Sequence, residues 1–297
     1  MLHFAAALLA ATVSLTPQPQ VLFALVRGEE DGMAIEPITM VTRKPGPCAG
    51  CWKLSFADPT QDEGMTEDEF TARYYRHGLK YRALAGGADV GTATVDEEAN
   101  LGCESLAASL SPPLPDYWGL AVGSLHVPPR KLVRHEATAA EKNALLALAR
   151  DAFRQKGVPP ALLEKMEKSD AISTDLNQDG KRDLIGSFEV VGDKTKEYHD
   201  YHRIFLIAMA DDAGGYRAEF VWYSRLAPGT NEARTETMNV FDTMTSSVPS
   251  SSRSIVSKTF IEVIATTEYY ESHDYVILKR SPSGKWTIVY RGGGSGC

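Results

Sequence analysis

From Asp170 to the C-terminus the chain is a succession of short apolar stretches: Leu184–Val191, Tyr201–Ala210, Tyr216–Tyr223, Ser254–Tyr270, Tyr275–Arg280 and Trp286–Tyr290. They are rich in β-branched and aromatic residues, and turn formers divide them, with Gly214-Gly215 and Pro282-Ser283-Gly284 at the places where hairpins should reverse. Stretches of this length and spacing form antiparallel strands joined by tight turns, not helices. Two units look alike. Asp200-Tyr201, an apolar run and Gly215-Tyr216-Arg217-Ala218-Glu219-Phe220-Val221 are echoed by Asp274-Tyr275, an apolar run and Gly284-Lys285-Trp286-Thr287-Ile288-Val289, a degenerate two-fold repeat of a strand–hairpin unit. Thr245–Ser254 between them is Ser-rich and reads as a mobile loop, and the Gly-rich end reads as a flexible tail.

Upstream, Met33–Val41, Cys51–Ala57, Lys80–Leu84 and Ala88–Val95 have strand character, while the apolar burst Val21–Val26 is too short to anchor anything. Thr66-Glu67-Asp68-Glu69 opens a short helix as a capping box, because the hydroxyl and the carboxylate each satisfy an orphan N–H at the helix start. Breaks fall at Ser111-Pro112-Pro113-Leu114-Pro115 and Val127-Pro128-Pro129. A second capping box, Thr138-Ala139-Ala140-Glu141, precedes Leu145, Leu148, Ala149, Ala152 and Phe153 at helical spacing until Gly157, and a shorter helix spans Pro160–Lys168. The expected class is α+β, mostly antiparallel β-sheet with a two-helix segment in the middle. The divisions are a signal segment at 1–16, an N-terminal β-rich region at 17–129, a helical segment at 130–169 and a C-terminal β region at 170–297.

The signal segment is inferred from Met1–Thr16, which is uncharged and carries an apolar run too short to span a bilayer. This predicts export, to the cell envelope, the periplasm or the medium. Cys48, Cys51, Cys103 and Cys297 form an even set, which in an exported chain points to disulfides. Three connectivities are open. At least one bridge should involve Cys48 or Cys51, with Cys103 and Cys297 the second pair by elimination. A redox role for Cys48-Ala49-Gly50-Cys51 is disfavoured by Pro45-Gly46-Pro47 before it and a strand pattern after it. With 31 Lys and Arg against 39 Asp and Glu the net charge is −8, which excludes a broad basic nucleic-acid surface and suits divalent cations. No stretch is long and apolar enough for a membrane-spanning helix.

The most specific chemistry lies in Asp175-Leu176-Asn177-Gln178-Asp179-Gly180-Lys181-Arg182-Asp183-Leu184. Side-chain oxygens at relative positions 1, 3, 5 and 9, a carbonyl at 7 from Lys181, and Gly180 at the sharp turn suit a hard, oxygen-seeking calcium ion, Ca2+. An EF-hand is disfavoured, since Gly186 stands where its bidentate Glu belongs and a strand follows. A plain Asx turn would need fewer placed oxygens.

This stretch, followed directly by a strand, resembles the calcium loop of FG-GAP/VCBS-type repeats found in integrin α chains and many secreted bacterial proteins. The order Trp118-Gly119, helix pair, acidic loop, Tyr-rich strands and Gly-rich end with a terminal Cys is also similar to secreted bacterial proteins carrying such repeats. The resemblance implies calcium in a β-rich scaffold serving adhesion or structural stability, with Asp175, Asn177, Asp179, Lys181 (through its carbonyl) and Asp183 as ligands. Only one loop is intact, because the second unit opens with Ser257-Lys258-Thr259-Phe260-Ile261-Glu262. A complete propeller needs more copies.

For an enzyme, Tyr198-His199-Asp200-Tyr201-His202 is the main candidate, but on a strand residues three apart point to opposite faces, so solvated edge histidines are expected. No nucleophile elbow, phosphate loop or His-Glu-x-x-His occurs. Tyr269-Tyr270, Trp286 and Tyr290 could form a sugar-binding face, although inward-facing sheet residues are the simpler expectation. The sequence therefore predicts a non-catalytic calcium-binding structural or binding module whose partner is an unidentified protein or glycan at the cell envelope. The alternative is a secreted hydrolase with a site in the cleft between the two β regions, resting on His199, His202 and His273.

Overall fold

The computed structural model describes residues 20–27, 32–45, 52–57, 65–99, 106–112, 119–123, 134–192, 200–226, 237–247, 259–269, 272–281 and 283–296. The signal segment, the four cysteines with their expected disulfides, His199 and Tyr270 lie outside the described residues.

The first part of the chain builds β1 (Gln20–Arg27), β2 (Met33–Pro45), β3 (Trp52–Ala57), α1 (Glu67–Tyr74), β4 (Lys80–Ala85), β5 (Ala88–Ala99), β6 (Ala107–Ser111) and β7 (Gly119–Val122). The strand order β1-β7-β4-β5-β6-β2, with β2 paired back to β1, closes six antiparallel strands into a barrel, and β3 extends the sheet from β2. Alternation along β1 sends Val21, Phe23 and Leu25 inward, while Leu22 and Ala24 face out into a second core. Both faces of β1 are thus buried. This is why Val21–Val26 reads as an unbroken apolar burst instead of an alternating strand. Helix α1 begins at the predicted capping box, with the Thr66 hydroxyl accepting from Glu69 N–H and the Glu69 carboxylate accepting from Thr66 N–H. It brings Phe70 and Tyr75 against Phe23, with ring centroids 6.3 and 5.8 Å away.

The second part builds β8 (His135–Glu136), α2 (Ala139–Gln155), α3 (Pro160–Leu163), β9 (Glu167–Thr174), β10 (Asp183–Val191), β11 (Tyr201–Ala210) and β12 (Tyr216–Leu226), and then β13 (Thr237–Ser247), β14 (Thr259–Glu268), β15 (Ser272–Arg280) and β16 (Trp286–Gly296). They form a five-stranded sheet in the order β12-β11-β10-β9-β8 and a four-stranded meander, antiparallel throughout. The architecture is mostly antiparallel β with a two-helix segment in the middle, and it is not a complete propeller. No described helix is long and apolar enough to cross a membrane.

The elements stack in four layers. Leu145, Ala149 and Phe153 of α2 and Leu163 of α3 cover Leu184, Phe188, Ile204 and Leu206 on one face of the five-stranded sheet. Ile185, Phe205 and Ile207 on its other face meet Met238, Val263, Val276 and Leu278 of the meander. The far side of the meander, with Phe241, Ile264, Tyr275, Ile277 and Tyr290, lies against Leu22, Ala24, Ile38 and Leu120 on the barrel exterior. Trp286 and Tyr290 are buried in these cores, so they are the expected inward-facing sheet residues and not a sugar platform.

The two hairpin turns repeat each other. Asp211 N–H donates to Gly215 O at 3.0 Å and Ser281 N–H to Lys285 O at 2.8 Å, and both turns carry a glycine in the left-handed region, Gly214 at φ 82° and Gly284 at φ 86°. Each side chain at the turn's start also accepts from its fourth neighbour, Asp211 Oδ1 from Gly215 N–H at 2.7 Å and Ser281 Oγ from Lys285 N–H at 3.0 Å.

Three local expectations change. Helix α3 ends at Leu163 instead of Lys168, because Glu167 and Lys168 already pair with β10. The supposed Ser-rich loop is strand as far as Ser247, paired through Ser247↔Thr259. The Gly-rich end belongs to β16 as far as Gly296, where it pairs with β15 and packs on the barrel.

Between meander and barrel, Glu36 is 1% exposed and accepts from His273 Nε2 at 2.7 Å and from the Tyr275 hydroxyl. Burial pulls the His273 pKa down, but the hydrogen bond and charge of Glu36, with Glu268 and Asp274 behind it, outweigh this and raise it above 6.5. A histidine with a raised folded-state pKa contributes stability below its unfolded value and loses it as pH climbs through the folded value. Melting temperature should therefore decline as pH rises above about 6.5, and His273→Gln should remove that part of the decline. Parallel wild-type and variant pH profiles would contradict this account of the seam.

Candidate metal centre

The acidic loop connects β9 to β10, whose antiparallel register places Thr174 opposite Asp183. Its first and last carboxylates form a buried base, with Asp175 6% and Asp183 0% exposed. Asp183 accepts from Leu176 N–H at 2.8 Å through Oδ2 and from Ala210 N–H at 2.9 Å through Oδ1. It thereby ties the loop to the end of β11. Asp175 accepts from Asp179 N–H at 3.2 Å and from Gly180 N–H at 3.0 Å, one on each oxygen. Gln178 at φ 62° and Gly180 at φ 89° let the backbone turn this tightly.

Asn177 and Asp179 form the exposed rim. The Asn177 amide accepts from Asp179 N–H at 3.1 Å and donates to Asp179 Oδ2 at 3.0 Å, while Asp179 Oδ1 accepts from Lys181 N–H at 2.8 Å. The Lys181 ammonium turns away to Asp212 Oδ1 at 2.5 Å, which leaves the residue's carbonyl as its contribution to the loop. Burial, assisted by the Asp179 and Asp175 charges and opposed by the two N–H donors, pushes the Asp183 carboxyl up to about 6.

The donor set is chemically suited to calcium. An ionised carboxylate has about four lone-pair sites, so accepting one N–H on each oxygen still leaves capacity for a hard cation. Among the described residues no three His, Cys, Asp or Glu side chains stand within a single metal coordination sphere as placed. The loop thus brings the predicted residues to one turn without closing them on one point.

The histidines depart from expectation. His202 is buried, 4% exposed, with Nδ1 2.8 Å from the Tyr223 hydroxyl. Its Nε2 lies 3.3 Å from Asp200 Oδ2 but without hydrogen-bond alignment, and Arg225 holds that carboxylate at 2.9 and 3.0 Å. Burial lowers the His202 pKa, with Arg225 adding to it and Asp200 opposing. His202 is therefore not the solvated edge residue the sequence suggested, and His273, the other described histidine of the enzyme alternative, is also partnered.

Sequence reasoning missed a cleft lined by Arg134, His135, Asp170, Asn239, Thr266 and Glu268 among others. These residues come from four segments far apart in the chain, and no motif links them. Compared with protein-family models, curated proteins and solved structures, the chain matches none.

Proposed function

We propose that this chain is an exported, calcium-binding, non-catalytic structural or binding module, and that Asp175–Asp183 is a calcium loop of the FG-GAP/VCBS type. The observation that carries the reading is the division of the loop into a buried carboxylate base, fixed by four backbone N–H groups, and an exposed rim of Asn177 and Asp179. A turn needs the base to hold its shape; the rim places further oxygens beside it, as a seven- or eight-oxygen cation requires. In this reading Asp175, Asn177, Asp179, the Lys181 carbonyl and Asp183 hold the ion. Bound calcium fastens β9 to β10 and, through Ala210, to β11. The scaffold then presents a surface to a protein or glycan at the cell envelope.

Calorimetric titration tests the site directly. The wild-type chain should bind one calcium ion, and Asp179→Ala should abolish binding while costing the metal-free protein little, because it removes a rim carboxylate together with its repulsion of Asp175 and Asp183. Calcium binding that survives Asp179→Ala would place the ion elsewhere.

The hydrolase alternative keeps one supporting observation, the contact of His202 with both Asp200 and the Tyr223 hydroxyl. Neither His202 nor His273 lines the cleft.

A further inference from the structure

The register of β10 with β11, Leu184 opposite Ala208, sets the turn between β11 and β12 beside the acidic loop. Asp183 joins the two by accepting from Ala210 N–H at 2.9 Å, just before that turn begins. The turn has a fixed shape of its own. Asp211 Oδ1 accepts from Ala213 N–H at 2.9 Å and from Gly215 N–H at 2.7 Å, and Gly214 takes the left-handed conformation at φ 82°. From this turn the fully exposed Asp212 side chain receives the Lys181 ammonium at 2.5 Å. An exposed ion pair of this kind contributes little to stability. Its place in the fold gives it a different consequence.

Lys181 offers the loop its carbonyl, yet its side chain is a cation on a flexible four-carbon stem rooted in the loop itself. Its own N–H donates to Asp179 Oδ1 at 2.8 Å, so the rim carboxylate lies next to the backbone from which the stem springs. The ammonium also stands in the field of that carboxylate. The hydrogen bond to Asp212 raises the Lys181 pKa above 10.5, and the charges of Asp212, Asp179 and Asp211 act in the same direction. Asp175, Asp179 and Asp183 gather their negative charge on one short turn, so an untethered ammonium at this position would be drawn to the rim and would occupy oxygens that a calcium ion needs. Held on the neighbouring turn, it does not compete.

We infer that Asp212 is a positioning residue for the loop, which keeps the Lys181 ammonium on the β11–β12 turn and so removes an internal competitor for the cation. The inference rests on the calcium reading of Asp175–Asp183.

The test is calorimetric titration with calcium of the full chain as wild type, Asp212→Asn, Asp212→Glu, Lys181→Met and the double variant Lys181→Met with Asp212→Asn. Asp212→Asn should weaken calcium binding about three- to fivefold, the factor expected when the ion must first break an exposed ion pair at the rim. Asp212→Glu keeps the pair and should retain wild-type affinity. Lys181→Met keeps the carbonyl without the ammonium and should bind calcium at least as tightly as the wild type; adding Asp212→Asn to it should cost less than in the wild-type chain. In chelator, the metal-free melts of all variants should match the wild type, because Asp212 is fully and Lys181 partly exposed. An equal or larger loss in the Lys181→Met background would mean that Asp212 acts through its own charge, and would overturn the inference. Unchanged affinity in Asp212→Asn, or a metal-free melt lowered by it, would do the same. A wild-type chain that binds no calcium defeats the calcium reading and this inference together, whereas the other contrary results leave the calcium reading standing.

Discussion

Gly293→Ala is expected to destabilise the protein by about 2–6 kcal/mol, the sum of left-handed backbone strain and overpacking. Gly293 sits at φ +67°, and a Cβ there would lie 2.3 Å from the Ile38 carbonyl oxygen and 2.7 Å from that of Pro37. Both atoms are backbone of β2, which is hydrogen-bonded into the barrel, so they have little room to give. The substitution strikes the seam at which Tyr290 donates its hydroxyl to the Ile38 carbonyl at 2.8 Å. Gly214→Ala is the control, because Gly214 has a similar φ of +82° with nothing within 4 Å of the added carbon. It should cost strain alone, about 1–3 kcal/mol. Chemical denaturation of both variants gives the comparison, and equal costs would mean that β16 is not seated on the barrel.

Asp183→Ala should cost about 2–6 kcal/mol without any metal present, since it leaves the N–H groups of Leu176 and Ala210 without their acceptor and an unsatisfied buried donor costs about 1–3 kcal/mol. Leu176 is itself 2% exposed and packs between the two sheets, so loosening the loop should be felt in that core. Asp183→Asn keeps the shape and one acceptor oxygen and should cost less. The contrast with Asp179→Ala separates the base of the loop from its rim, by denaturant midpoints in chelator. Equal and small effects at both positions would show that the base does not hold the turn.

Local chemistry was readable from the chain wherever the relevant partner is close in sequence. Thr66 with Glu69 and Thr138 with Glu141 form capping boxes as spelled, and the turns at Gly214 and Gly284 reverse the strands where their glycines fall. The acidic loop turns where Asp175 and Gly180 require. Closure of the barrel was not readable, because pairing of β1 with β7 and of β2 with β6 joins distant segments that carry no local signature. Burial on both faces also erased the alternation that marks a strand, as in β1. The pairing of His273 with Glu36 had no local signature, because the two lie 237 positions apart. The Gly-rich end looked flexible for the same reason, since only a neighbouring backbone shows why side chains are excluded there.

The most direct test of the calcium reading is the melting temperature of the wild-type chain in calcium and in chelator. A ligand that binds only the folded state stabilises it by about 2.7 kcal/mol when free ligand is 100 times Kd. The melt should therefore move upward with calcium and return with chelator, and Asp179→Ala should show neither movement. A wild-type melt unmoved by millimolar calcium, with no metal found after mild purification, would contradict the account and leave Asp175–Asp183 an ordinary Asx turn.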